Sequence, residues 1–92
     1  MKVRIEYVAQ MRNAAGVGGE CFELASGSVV RQLMQDVADS HPDRLAELLF
    51  AEDGSFRPSA LLFLGDEQVD IEEKRPLTDG CTVTLLAPLA GG

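Results

Sequence analysis

The chain has 92 residues, of which 46% are hydrophobic, and 15 acidic side chains against 8 basic ones leave a formal net charge of −7. A chain of that length holds one domain with one modest core, because it hides only about 60–65% of the surface it exposes when unfolded. The apolar share excludes a disordered chain, the lack of an apolar run of about 18 residues excludes a membrane-spanning helix, and the acidic balance argues against nucleic acid as a partner.

Residues 2–8 alternate, with Val3, Ile5 and Tyr7 on one face and Lys2, Arg4 and Glu6 on the other, which is the period of a half-buried strand. Such a start is unlike a secretory leader, and the expected location is the cytoplasm. A loop is expected next, through Asn13 and the Gly16-Val17-Gly18-Gly19 stretch. Alternation resumes over 20–25, with Phe22 and Leu24 inward and Cys21 and Glu23 outward, so the first two strands read as a hairpin. Ser26-Gly27-Ser28 breaks the strand, and Ser28 is the expected N-cap of a helix. In that helix Val30, Leu33, Met34, Val37 and Ala38 fall on one stripe, opposite Gln32, Gln35, Asp36 and Asp39. Propagation should stop near Ser40-His41, since the residue before Pro42 is pushed out of the α region. Pro42 is expected at the first position of a shorter helix with Leu45, Leu48 and Leu49 inward, followed by a turn over 51–55. The continuous apolar run at 59–64 suits a strand buried on both faces. Gly65-Asp66 turns into a short edge strand over 67–71, a polar connection over 72–80 carries one apolar anchor, Leu77, and 82–87 is the last strand.

This order of elements predicts an α+β fold, a mixed sheet of four or five strands with one main helix and a second short helix. The helix supplies a crossover between hairpins, so the first and last strands should be parallel neighbours at the centre. That arrangement is the β-grasp, with a single domain over 1–87 and a flexible tail over 88–92.

Familiar catalytic constellations are missing. Cys21 and Cys81 stand far apart and read as two free thiols. His41 is the sole histidine, which leaves structural zinc without ligands and makes a cap or surface role the expected one. Glu72-Glu73 would point to opposite sides of an extended chain, and the glycines at 16–19 lack the Gly-Lys-Ser/Thr of a phosphate loop. Asp53-Gly54 lacks the alternating acids of a calcium loop. No bound cofactor or metal is expected.

The informative stretch is Ala87-Pro88-Leu89-Ala90-Gly91-Gly92. A carboxylate must be activated before a nucleophile can displace its oxygen, and attack of the Gly92 carboxylate on ATP would give an acyl adenylate with AMP as leaving group. Without Cβ atoms, Gly91 and Gly92 can pass a narrow channel into another protein's nucleotide site. Pro88 stiffens the exit from the strand, which lowers the entropy lost on immobilisation. Leu89 and Ala90 offer small apolar contacts ahead of the narrowest part. A frayed tail is the plain alternative.

This tail, with the Pro76-Leu77-Thr78-Asp79-Gly80 element and the strand that precedes it, resembles the ubiquitin-like sulfur-carrier family, which includes the small subunit of molybdopterin synthase and the thiamine-pathway sulfur carrier. The likeness extends to the opening strand, the Ser28-led helix and residues 51–58 before the third strand. It implies a carrier adenylated by an E1-like enzyme that uses ATP, then charged by a sulfurtransferase or persulfide donor. Gly92 would become the thiocarboxylate that gives sulfur to a large synthase subunit or another sulfur-accepting enzyme. Gly91, Ala90, Leu89 and Pro88 would thread into partners, and Leu86 with Leu61 or Phe63 would form an apolar docking patch, although core packing accounts for these three side chains equally well. The segment 42–57, usually lacking in the shorter thiamine-type carriers, favours the molybdopterin type or the longer carriers that resemble it, including those supplying sulfur for cysteine or secondary metabolites. On this reading the chain is a carrier and co-substrate and not an enzyme. A carrier for thiamine, cysteine or secondary-metabolite synthesis, a protein modifier forming isopeptide bonds through Gly92, and a plain interaction module stay open.

Overall fold

The computed structural model describes residues 1–88. Period-two alternation in β1 (Lys2–Ala9) buries Val3, Ile5 and Tyr7 and turns Lys2, Arg4 and Val8 outward. The antiparallel partner β2 (Gly19–Glu23) sets Val3 opposite Phe22 and Ile5 opposite Glu20. It ends two residues sooner than the alternation suggests, although the Leu24 amide still donates to the Met1 carbonyl.

The connection between these strands is not the expected loop. Gln10–Ala15 form a helix, α1, that buries Met11 completely and ends at Gly16, which takes the left-handed conformation (φ 81°) and donates its amide to the Arg12 carbonyl. One and a half turns carry too few apolar positions to show a period, and the glycines that follow mask the helix in the sequence. Three helices therefore accompany the sheet.

α2 (Val30–Ser40) buries Val30, Leu33, Met34 and Val37, the stripe read from the sequence. Its cap differs from expectation. Val29 occupies the N-cap position, its amide donating to Gln32 Oε1 at 2.7 Å, while the Ser28 carbonyl accepts from the Leu77 amide at 2.8 Å. Ser28 is thus a tether between the helix start and the buried anchor Leu77. α2 stops at Ser40, and α3 (Arg44–Leu49) starts two residues after Pro42, with Leu45 and Leu49 buried. Pro42 lies in the intervening turn and not at the first helical position. Phe50 and Phe56 close the following turn with an edge-to-face contact, ring centroids 5.5 Å apart.

β3 (Leu61–Leu64) is shorter than the apolar run, and its burial is one-sided: Leu62 is inside, while Leu61 and Phe63 are half-buried. The expectation of two covered faces fails because all three helices lie on one side of the sheet, leaving the other side open. β4 (Glu67–Val69), also two residues shorter than expected, pairs antiparallel with β3 at the sheet edge. β5 (Thr82–Ala87) runs parallel to β1 and antiparallel to β3, giving the order β2-β1-β5-β3-β4. The core lies between this sheet and the helices, where Ile5, Leu33, Met34, Leu45, Leu49, Leu62 and Leu85 are fully buried. Each such side chain contributes about 1.5–3 kcal/mol of transfer free energy.

Candidate functional site

The sheet register decides which side chains share the open face. Leu86 stands opposite Leu61 on β3 and opposite Val8 on β1, and Phe63 follows Leu61 on the same face. Val8 is 41% exposed. These four side chains form an apolar strip across the three inner strands at the end where β5 finishes. Farther along the face the character becomes polar, with Thr84, Thr82, Cys21 and the Arg4–Glu6 ion pair (2.8 Å).

β5 delivers the chain to a fixed exit. Ala87 is buried and paired with Ala9, and the exposed Pro88, which has no amide to donate, ends the ladder. Of the residues singled out from the sequence, Leu61, Phe63 and Leu86 come together on one face, with Pro88 next to Leu86's strand end. Leu89, Ala90, Gly91 and Gly92 lie outside the described residues, as does all of the expected tail but Pro88.

Both cysteines are free thiols, Cys21 exposed and Cys81 half-buried. Among the described residues no group of three or more His, Cys, Asp or Glu side chains could hold a metal ion, and no helix is long and apolar enough to cross a membrane.

His41 has a richer setting than a cap or surface position implies. Its amide does cap α2 by donating to the Val37 carbonyl, but its Nε2 lies 2.6 Å from Glu20 Oε2, which also accepts from the Tyr7 hydroxyl at 2.6 Å. The Tyr7 and His41 rings meet edge to face. Burial opposes ionisation of Glu20, yet the hydrogen bonds from Tyr7 and His41, with the charge of His41, hold its carboxyl below the usual value. Burial, then the bond to Glu20 and its charge, push the Tyr7 hydroxyl far up. The signal for this cluster in the sequence is Tyr7 itself, an inward residue whose hydroxyl needs a partner.

Over all 92 residues the chain is 32% identical to a molybdopterin synthase sulfur carrier subunit from Chlamydomonas reinhardtii, and it covers that protein completely. It belongs to the ubiquitin-like sulfur-carrier family. No family model matches the sequence of this sulfur carrier. Its fold is that of SAMP1 from Haloferax volcanii, with a TM-score of 0.89 over the full length of both chains at 17% identity, a likeness of fold alone. It also resembles a chain of the BexX/CysO complex from Amycolatopsis orientalis, with a TM-score of 0.66 and 25% identity over 98% of this chain and 99% of that one. The β-grasp expectation holds for this sulfur carrier, including the parallel pairing of its first and last strands at the sheet centre.

Proposed function

We propose that this sulfur carrier serves molybdopterin synthesis, with the Gly92 carboxylate as the group that bears sulfur. The observation that carries this reading is the full-length identity with a molybdopterin synthase sulfur carrier subunit. An E1-like enzyme binds ATP, and a carboxylate oxygen of Gly92 attacks the α-phosphorus, releasing pyrophosphate. A persulfide on a sulfur donor then attacks the acyl carbon, and AMP leaves. A second thiol of the donor breaks the resulting acyl disulfide, leaving a thiocarboxylate on Gly92 and a disulfide on the donor. The large synthase subunit takes up the sulfur.

In this scheme the chain supplies no catalytic side chain. Its fold supplies a rigid base for Pro88 and the four residues beyond it, and an apolar strip (Val8, Leu61, Phe63, Leu86) beside that base for the activating enzyme and the synthase to grip. The likeness to a chain of a two-protein complex supports use of such a surface.

The test is deletion of Gly92. ATP–pyrophosphate exchange with the cognate activating enzyme should vanish while the melting temperature stays unchanged. Persisting exchange would refute the reading. Intact mass of the protein isolated from cells should show replacement of one oxygen by sulfur at the C-terminus. Ladders of larger conjugates in place of that change would instead indicate a protein modifier.

A further inference from the structure

The helical side of the molecule carries a second surface, turned away from the open sheet face. α2, α3 and the turn after them enclose an open groove of ≈ 750 Å³. Ala38, Ala46 and the half-buried ring of Phe50 line it, and Asp39, Glu47 and Glu52 add carboxylates. The edge-to-face contact with Phe56 fixes the Phe50 ring, so the apolar part is preformed.

Among the described residues the glutamates outside the groove are ion-paired, while Asp66, Asp70 and Asp79 outside it are not. Glu6 pairs with Arg4, Glu20 with His41, Glu67 and Glu73 with Arg75, and Glu72 with Arg31. Among the described residues Asp39, Glu47 and Glu52 make no ion pair. Arg57, the cation lining the groove, directs its Nε to the Glu47 backbone carbonyl and not to a carboxylate. Residues 35–57 hold six acids, Asp36, Asp39, Asp43, Glu47, Glu52 and Asp53, against two arginines, Arg44 and Arg57. Three carboxylates against the one guanidinium of Arg57 leave a net negative charge around a partly apolar groove. That charge complements a ligand that is apolar on one side and cationic at its margins, and it repels phosphate-bearing ligands.

We propose that this groove docks a lysine- or arginine-rich amphipathic helix of a partner protein. A groove between two helices accepts the ridge of a third helix, whose apolar side would rest on Phe50, Ala38 and Ala46 while its cations meet Asp39, Glu47 and Glu52. Because the groove and the Leu61–Leu86 strip lie on opposite sides of the sheet, occupation of one leaves the other free. Two partners can therefore hold the carrier at once, independently of which pathway receives the sulfur.

The test uses the full chain, labelled with nitrogen-15, and a synthetic amphipathic Lys/Leu helical peptide, with a Glu/Leu peptide of the same pattern as control. The Lys/Leu peptide should shift the amides of Ala38, Phe50 and Ala51 and leave those of Leu61, Phe63 and Leu86 in place. The Glu/Leu peptide should shift neither set. The triple variant Asp39→Asn, Glu47→Gln, Glu52→Gln, whose folding is checked by its melting temperature, should bind the Lys/Leu peptide about tenfold or more weakly and with a flatter salt dependence. Shifts centred on the sheet face, equal binding of both peptides, no binding, or undiminished affinity in the triple variant would each overturn the proposal.

Discussion

Leu61 of β3 and Leu86 of β5 stand directly opposite each other on the uncovered side of the sheet, and the chain leaves that sheet two residues after Leu86. A cross-strand leucine pair on a core face would be explained by packing alone. On the open face it is half exposed, next to Val8, and so leaves apolar surface in contact with water at the foot of the segment that carries Gly92. Contiguous apolar surface is what a partner would grip, which is why this strip is proposed as the docking surface.

Leu61→Lys and Leu86→Lys, made singly, test that surface. Each places an ammonium where a partner would seat an apolar contact. The KM for the carrier in ATP–pyrophosphate exchange should rise about tenfold or more, with kcat little changed, as for a residue at the centre of an interface. The melting temperature should move little, because neither side chain is in the core. Unchanged KM in both variants would remove these leucines from the docking surface.

Gly19→Ala probes the β1–β2 pairing. A Cβ at position 19 would lie 2.8 Å from the Ile5 carbonyl oxygen, a backbone atom that cannot swing aside, as well as 2.7 Å from side-chain atoms of Arg4 and Glu6 that can. The strands must separate or shift, and overpacking of this kind costs about 1–3 kcal/mol. Urea unfolding should show the loss, with the Arg4 and Glu6 side chains displaced on the open face.

Much of this architecture was legible because its elements are long or cleanly periodic. Val3, Ile5 and Tyr7 gave β1, the stripe from Val30 to Ala38 gave α2, and the β-branched segment ending at Ala87 gave β5 with its boundaries. The misread pieces are short or depend on tertiary layering. α1 has one fully buried residue, Met11, and no periodic signal. The apolar run around Leu61–Leu64 has the composition of a strand covered on both sides, and only the placement of all three helices on one side shows that Leu61 and Phe63 face outward. Ser28 has the chemistry of a cap, but its carbonyl is taken by Leu77, a contact across 49 positions that no local pattern announces. For the candidate site, the sequence marked Leu61, Phe63 and Leu86 as patch candidates. The Tyr7–Glu20–His41 cluster escaped because its members come from three separate elements.

Ala9→Gly should stabilise the protein. Ala9 joins β1 to α1 with φ 57° and ψ −127°, a conformation that a Cβ disfavours, and its side chain is exposed. Such strain costs about 1–3 kcal/mol, against about 0.5–1 kcal/mol for the extra freedom glycine gives the unfolded chain. A net gain of about 1 kcal/mol corresponds to a rise of about 4–8 °C in melting temperature for a domain of this size. A fall on calorimetry would show that the bend is not strained.

The cluster at Glu20 links stability to pH with a definite sign. Its carboxylate accepts from Tyr7 and contacts His41, each at 2.6 Å, and although burial opposes ionisation these partners lower its folded value below the ordinary 4.5. A lowered folded value means stabilisation present in full above the ordinary value and lost as pH falls through the folded one. Tyr7, pushed up by burial and by Glu20, stays a donor throughout that range. Tyr7→Phe removes one of the two partners, so Glu20 should titrate higher in the variant when followed by carboxyl carbon-13 NMR. The variant should be less stable by about 1–2 kcal/mol at pH 7, the value of a hydrogen bond to a partly solvated charge. That deficit should shrink as pH falls below the usual carboxylate range, because the protonated carboxyl has less to lose. A deficit independent of pH would assign the effect of Tyr7 to packing and not to its bond with Glu20.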